Sequence, residues 1–159
     1  MTLKEIQLEL KNFFRSHLQV QSVTSYDISD FTAKPDKKYL IANVEYQDTN
    51  ISNRVRNDIF EITLADLLAP DGSNELEIFS STLEIAEDFY EFLYQCPLWT
   101  FNRTANSQKF TESDGDRIAG ITFRITIQTI RRQNTCSIPN RVIDGNNSSL
   151  PYTLPFQLI

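Results

Sequence analysis

The chain has 159 residues, 40% of them hydrophobic and 11% aromatic, so it is long enough to bury a core and is not a disordered polymer. Its formal net charge of −6 argues against a general nucleic-acid-binding surface, which needs clustered Lys and Arg. It has only four glycines, and the usual motifs of phosphate loops, nucleophile elbows and zinc proteases are missing from the sequence.

The sequence shows no sign of export or of a membrane segment. The first residues are polar and lack the apolar core of a signal peptide. No stretch approaches the eighteen or so apolar residues that a membrane-spanning helix needs. We therefore expect a soluble protein from a reducing compartment, in which Cys96 and Cys136 are both free thiols.

Helix signals dominate the N-terminal region. Thr2 and Glu5 match a capping box, in which each side chain bonds the backbone amide of the other residue. Apolar residues then follow at helical spacing: Leu3, Ile6, Leu10, Phe13 and Phe14. This pattern predicts an amphipathic helix that runs to about His17. The β-branched and aromatic residues between Gln19 and Ile28 favour a first strand.

Two alternating runs predict an antiparallel hairpin. The first run places Leu40, Ala42, Val44 and Tyr46 on one face, and the second places Phe60, Ile62 and Leu64 on one face. The residues between the runs are polar. They predict a connection too long for a two-residue turn, which projects from the domain.

A long helix and further strands complete the predicted domain. The turn signal Pro70–Ser73 precedes an apolar stripe at helical spacing, and Pro97 ends the helix at Cys96. The stripe consists of Leu76, Phe79, Leu83, Ala86, Tyr90 and Leu93. The outer face of the helix is acidic and consists of Glu84, Glu87, Asp88 and Glu91. A strand is predicted to open at Trp99, and the alternation from Ile121 to Ile127 predicts a last one.

Phe89 and Phe92 fall off the predicted stripe of the long helix. They cover either a wider core or a subunit interface. The whole pattern predicts an α+β fold, with a small antiparallel sheet of about four to five strands packed against two helices.

The C-terminal residues depart from these patterns. We expect a core domain over residues 1–132, followed by an extended arm over residues 133–159, which hold three of the six prolines. The arm ends in apolar side chains, namely Tyr152, Leu154, Phe156, Leu158 and Ile159. Either its own domain or a neighbouring chain holds this tip. A neighbouring chain is favoured, because the polar stretch before the apolar end would let the arm extend to another subunit.

The sequence contains few candidates for catalytic or metal-binding residues. His17 is the only histidine and is predicted to have a structural role at the end of a helix, where the dipole favours a cation. The acidic cluster of Glu112, Asp114 and Asp116 is the most site-like feature, but Arg117 and the apolar residues after it break the pattern of a calcium loop. A solvated turn is expected, with no metal, cofactor or catalytic residue. A small hydrolase using these carboxylates stays open as an alternative.

The order of elements resembles that of the tail-completion, tail-terminator and other head–tail connector (neck) proteins of tailed bacteriophages. The resemblance covers roughly residues 2–130. It consists of the apolar stripe of the first helix, the paired strands Tyr39–Tyr46 and Asn57–Leu64, the helix Leu76–Gln95, and the last strand Asp116–Ile127. The arm is longer than the core of that family needs.

This resemblance implies a structural, non-enzymatic virion protein without a cofactor. It implies a ring of six or twelve subunits at the head–tail junction, made in the host cytoplasm and joining portal or adaptor proteins to the tail. DNA then passes through the lumen without specific binding, and no membrane is involved. The alternative is a monomeric partner-binding module or regulator of the same mixed fold.

By position, the projecting loop from Asp48 to Arg56 is expected at an inter-subunit or lumen-facing site. The candidate subunit-interface residues are Asn50, Asn53, Arg54 and Arg56 in the loop, Phe89 and Phe92 on the long helix, and Tyr152, Leu154, Phe156, Leu158 and Ile159 in the arm.

Overall fold

The computed structural model describes residues 1–25, 38–52, 54–101, 106–112 and 117–130. Within these residues the chain forms two helices and six strands. In chain order they are α1 (Leu3–Ser16), β1 (Ser22–Thr24), β2 (Ile41–Ser52), β3 (Val55–Leu67), α2 (Glu75–Gln95), β4 (Thr100–Phe101), β5 (Gln108–Glu112) and β6 (Ile118–Ile130). The predicted α+β class is confirmed. Neither helix is long and apolar enough to cross a membrane.

The six strands form one mixed sheet in the order β1-β2-β3-β6-β4, and β5 also pairs with β6. The strand β1 runs parallel to β2, whereas every other pair is antiparallel. The prediction of a purely antiparallel sheet of four to five strands is therefore corrected. The sequence hides β5 because Phe110 is its only apolar residue, so this edge strand shows no hydrophobic alternation.

The two helices cover one face of the sheet and enclose the main core. Its fully buried members include Ile6, Leu10 and Phe14 from α1, Ile85, Ala86, Phe89 and Leu93 from α2, Phe60, Ile62 and Leu64 from β3, and Phe123, Ile125 and Ile127 from β6. Removing each large side chain from water contributes roughly 1.5–3 kcal/mol. The predicted core faces of α1, β3 and β6 are confirmed.

The start of α1 is fixed by the predicted capping box. The hydroxyl of Thr2 accepts from the amide of Glu5 at 3.2 Å, and the Glu5 carboxylate accepts from the amide of Thr2 at 2.7 Å. These hydrogen bonds from Thr2 hold the pKa of Glu5 below its ordinary value. The helix ends at His17, whose extended backbone lets its amide donate back to the carbonyl of Phe13.

The predicted apolar stripe of α2 is wrong at two positions, because Leu76 is 81% exposed and Leu83 is 46% exposed. Ala86 and Leu93 are buried as predicted, and Phe79 and Tyr90 pack against the core. The other buried residues of α2 are Ile78, Thr82, Ile85 and Phe89. Thr82 breaks the apolar pattern of this face, and its hydroxyl is satisfied inside the helix by donating to the carbonyl of Ile78 at 2.7 Å.

The predicted loop between β2 and β3 is also wrong, because both strands continue through it. Ser52 pairs with Val55, so only two positions separate the strands, and Arg54 has a left-handed φ of 68°. Asn53 lies outside the described residues. An irregularity between Tyr46 and Asp48 shifts the register and breaks the alternation that marks a strand in the sequence.

Gly120 marks a close approach of β6 to β3. A Cβ atom added at this position would lie 1.9 Å from the carbonyl oxygen of Leu64 and 2.9 Å from the Cα of Ala65. Backbone atoms cannot move aside as a flexible side chain can, so only glycine fits here. Phe110 pairs with Gly120 from the other side and packs against Ala65 and its neighbour Ile118.

We predict that Gly120→Ala lowers the free energy of unfolding by about 2 kcal/mol or more, since the two strands must separate to admit a methyl group. Gly72→Ala is the matched control. Gly72 has open space around its Cα, but its φ of 73° imposes a smaller conformational cost of about 1 kcal/mol. Urea unfolding of both variants measures the difference, and an equal or smaller loss for Gly120→Ala contradicts the steric account.

Candidate assembly interface

The outer edge of β2 is open in its distal part, residues 48–52. The inner edge of the strand pairs with β3 along its length, whereas β1 covers the outer edge only from Ile41 to Asn43. Next to β1, the side chain of Gln7 on α1 donates to the carbonyl of Val44 at 3.3 Å. Among the described residues, no strand pairs with residues 48–52 on this side. An edge of this kind can accept a strand from another chain.

The opposite edge of the sheet is formed by the two short strands β4 and β5, which lie one after the other along β6. The strand β5 pairs with Ile118–Thr122, and β4 pairs with Ile127–Gln128. In the described part of the chain, residues 123–126 of β6 have no strand partner on this side. Among the described residues, one edge of the sheet therefore consists of β1 and the distal part of β2 and the other of β4 and β5, so the two edges differ in structure.

A buried polar network stiffens the distal part of the hairpin. Asp58 is fully buried and forms an ion pair with Arg56 at 2.7 Å. The other carboxylate oxygen accepts from the hydroxyl of Thr49 at 2.5 Å, which in turn accepts from the hydroxyl of Tyr46 at 2.9 Å. Arg56 also donates to the carbonyl of Met1 at 3.2 Å. The network joins the hairpin to the beginning of α1.

The structure separates the predicted interface residues of this region. Asn50 and Arg54 are exposed near the end of the hairpin, where another chain can reach them. Arg56 instead turns inward and neutralises Asp58, so its first role is within the subunit. Position 53 and the five arm residues between 152 and 159 lie outside the described residues.

Phe89 is not an interface residue, because it is fully buried in the core. Its ring lies 4.7 Å from that of Phe14. Phe92 is partly buried, stacks on Phe13 at 5.0 Å between ring centroids and also contacts Trp99. Phe89 therefore belongs to the wider core, and Phe92 packs against that core with part of its surface exposed. The reason is that α1 packs against the side of α2 that carries them.

The exposed apolar residues of α2 lie on its opposite side. Leu76, Leu83 and Tyr94 are 81%, 46% and 50% exposed. At 3.6 residues per turn, these three positions lie about 160–200° around the helix from Phe92. The sequence marks Leu76 and Leu83 by their apolar spacing, but the same spacing also predicts that they face the core. The predicted acidic face of α2 is exposed as expected.

The histidine, the cysteine and the acidic residue that the structure describes among the candidate reactive groups each have a place in the fold. The Nε2 atom of His17 lies 3.2 Å from a carboxylate oxygen of Asp88, so this contact joins the two helices. Cys96 caps the C-terminus of α2 as a free thiol. Glu112 ends β5, whereas residues 114, 116 and 136 are outside the described part. In that part, no group of three or more His, Cys, Asp or Glu is arranged to hold a metal ion.

One recess of about 600 Å³ opens at the proximal end of the sheet. Its wall combines Lys38 and Asp66 with glutamines and the edge of Tyr39. The lining is mixed in polarity and open to solvent, which suits contact with a surface better than enclosure of a small molecule.

Comparison with known protein families finds no family model that matches this chain, and comparison with curated proteins finds no match either. The inference of function therefore rests on the surfaces of the chain itself and on the order of its elements.

We predict that Arg56→Ala destabilises the subunit by about 3 kcal/mol, because it leaves the buried Asp58 carboxylate without its counter-charge. The double variant Arg56→Met/Asp58→Leu removes both charges and recovers most of that loss. Urea unfolding of Arg56→Met, Asp58→Leu and the double variant forms a double-mutant cycle with the wild type. Additive effects would show that the two side chains are not coupled.

Tyr90 lies partly buried against the core, and burial raises the pKa of its phenol to about 12. Ser107 opposes this shift weakly, although no described residue meets hydrogen-bond geometry with the hydroxyl. The folded protein keeps Tyr90 protonated above the pKa of about 10 that unfolded tyrosine has. This contribution to stability is complete below pH 10 and is lost as the pH rises towards 12.

The test compares wild type with Tyr90→Phe, which cannot titrate at this position. The stability of the wild type relative to the variant should fall between about pH 10 and pH 12 in urea unfolding. Groups common to both proteins cancel in this comparison. A difference that stays constant across this range contradicts the assignment.

Proposed function

We propose that this chain is a structural, non-enzymatic subunit of a ring at the head–tail junction of a tailed bacteriophage, where it joins portal or adaptor proteins to the tail. The observation that carries the proposal is the sheet with two unlike edges, one of them the distal part of β2 on a long hairpin. The element order that resembles neck proteins supports the same assignment.

Two unlike edges favour a ring over a symmetric dimer. When the β2 edge of one copy meets the edge formed by β4 and β5 of the next, the contact is head-to-tail, and each copy keeps one edge for a further neighbour. Such contacts form a closed ring if the rotation between neighbours closes. Backbone hydrogen bonds across the junction supply the attraction, as in strand addition.

The distal part of β2 has the side chains expected of an edge that pairs only in an assembly. Asp48, Asn50 and Ser52 are exposed and polar, which limits uncontrolled pairing between free subunits. The same residues can hydrogen-bond across a specific interface. Ile51, which is 56% exposed, adds apolar area that a neighbour can cover.

The charge of the chain suits a passage for DNA. A formal net charge of −6 repels phosphate, so DNA can move through a lumen formed by this protein without being retained. The proposed partners are copies of the chain itself, portal or adaptor proteins and tail proteins. Residues 133–159 are proposed to bind a neighbouring subunit, with the apolar residues at their end as the contact.

The first test is the mass of the purified protein, measured by native mass spectrometry and sedimentation over a range of concentrations. A discrete ring mass is expected, because a closed set of head-to-tail contacts selects one subunit number. A protein that stays monomeric at every concentration, both alone and with its virion neighbours, contradicts the proposal and favours the monomeric binding module.

The second test places proline at Asn50 or at Ile51. Successive amides of a strand point to opposite edges, so one variant removes an amide of the outer edge and the other breaks a bond to β3. The outer-edge variant should keep nearly the wild-type unfolding temperature and lose assembly. The inner-edge variant serves as the control and should melt earlier. Full assembly by both folded variants contradicts the role of this edge.

A further inference from the structure

The two helices carry exposed faces of opposite charge. On α1, Lys4, Leu8, Lys11 and Arg15 share one side, which we term the basic face of α1. On α2, Leu83, Glu87, Glu91 and Tyr94 share one side, which we term the acidic face of α2. Each face contains an apolar residue with about half of its surface exposed, since Leu8 and Leu83 are both 46% exposed.

The basic face of α1 points away from α2. Phe13 makes the contact with α2, stacking on Phe92. At about 100° per residue, Lys4, Lys11 and Arg15 lie roughly 160–200° around α1 from Phe13. This side of α1 is the side of β1 and β2, as shown by the Lys11 ammonium donating to the hydroxyl of Ser25 just after β1.

Most of the acidic face of α2 points away from α1. Phe92 marks the side of α2 that contacts α1; Leu83, Glu87 and Tyr94 lie about 140–200° around the helix from it, and Glu91 lies about 100° from it. The ring of Tyr94 packs edge-on against Phe101 of β4 at 4.9 Å. The two faces are therefore at opposite sides of the subunit, next to the two different sheet edges.

Among the described residues, the charged groups of both faces have no ion-pair partner, although Lys11, Arg15 and Glu91 form hydrogen bonds with Ser25, Asn12 and Gln95. In the part of the chain that the structure describes, the ion pairs are those of Asp88 with His17, Asp58 with Arg56 and Glu61 with Arg124. None of the acids or bases of the two faces takes part in them. Glu87 and Glu91 are also four residues apart on one helix, where like charges destabilise it by roughly 0.2–0.5 kcal/mol.

The C-terminal end of α2 adds to this imbalance. Its last turn contains no basic residue, although the carbonyl groups at a helix C-terminus favour a cation. Glu91 lies near that end and carries the opposite sign. A basic side chain from another molecule would satisfy both the carboxylates and the helix end.

We propose that the basic face of α1 in one copy docks on the acidic face of α2 in the next copy. This inference rests on the proposed ring and names the contact between the helices of neighbouring subunits. The two faces overlap in height near the end of α1. His17 lies beside Asp88 and Phe13 beside Phe92, so Arg15 is level with residues 88–92 of α2 in its own subunit and Lys11 is level with its last residues, whereas Lys4 lies beyond the C-terminus of α2. A ring axis along the helices keeps this level between neighbours.

The test reverses the charge of each face. Variant A is Lys11→Glu/Arg15→Glu, and variant B is Glu87→Lys/Glu91→Lys. Each variant alone should associate at least ten-fold more weakly than wild type at low salt, because like charges now meet at every contact. Sedimentation measures the association. The unfolding temperature and circular dichroism show that both variants are folded.

Mixing the two variants gives the sharper result. In an alternating ring, the reversed α1 of variant A meets the reversed α2 of variant B, and the unchanged faces meet each other. An equimolar mixture should therefore recover rings with an even number of subunits, and native mass spectrometry should find both variants in equal numbers. Glu9→Lys and Lys38→Glu are the matched controls, because they change exposed charges outside the two faces.

The outcomes separate this inference from the proposed function. A monomeric wild type contradicts both. A wild-type ring that variants A and B leave unchanged contradicts the helix contact alone, and the sheet edges then account for assembly. Loss of assembly that mixing does not restore also contradicts the helix contact, since it shows damage without charge complementarity. Recovery on mixing supports it.

Discussion

The aromatic contact between the two helices determines most of the other features of this molecule. Phe13 stacks on Phe92, and Phe14 packs against Phe89, so each helix has a fixed rotation about its own axis. Such ring pairs contribute roughly 0.5–1.5 kcal/mol beyond the area they bury. Once these four rings are in place, the remaining residues of both helices are divided into those that face the sheet and those that face outward.

The sheet supplies the second constraint, through the full pairing of β3 with β6. Each residue from Val55 to Leu67 has a partner from Ile130 to Ile118, so β3 is paired on this side along its whole length. Asp58 is buried in the distal part of the hairpin, and its hydrogen bonds replace the apolar packing found nearer the middle of the sheet. Backbone pairing and these polar contacts together hold the distal hairpin, and among the described residues no strand covers its outer edge.

Much of the fold could be predicted from the sequence, because simple patterns coincide with burial in α1, β3 and β6. The prediction failed where two patterns compete. On α2, Leu76 and Leu83 match helical spacing as well as Ile78 and Ile85 do, and only the position of α1 decides between the two faces. Hydrophobicity does not reveal that the polar residues of the distal hairpin pair with one another. For this reason, the sequence places Arg56 among the interface residues, although it forms an ion pair with the buried Asp58.

The irregularity at Gln47 has an evolutionary consequence. Ala42 and Val44 pair with Leu64 and Ile62, whereas beyond the irregularity Thr49 pairs with Asp58, so the alternation changes parity within one strand. A substitution at an exposed position of the distal hairpin, such as Asn50, affects one side chain. Losing or gaining a single residue there exchanges the inward and outward sets together. Relatives of this chain are therefore expected to vary in composition at the exposed positions of the hairpin while changing its length only in steps that preserve parity.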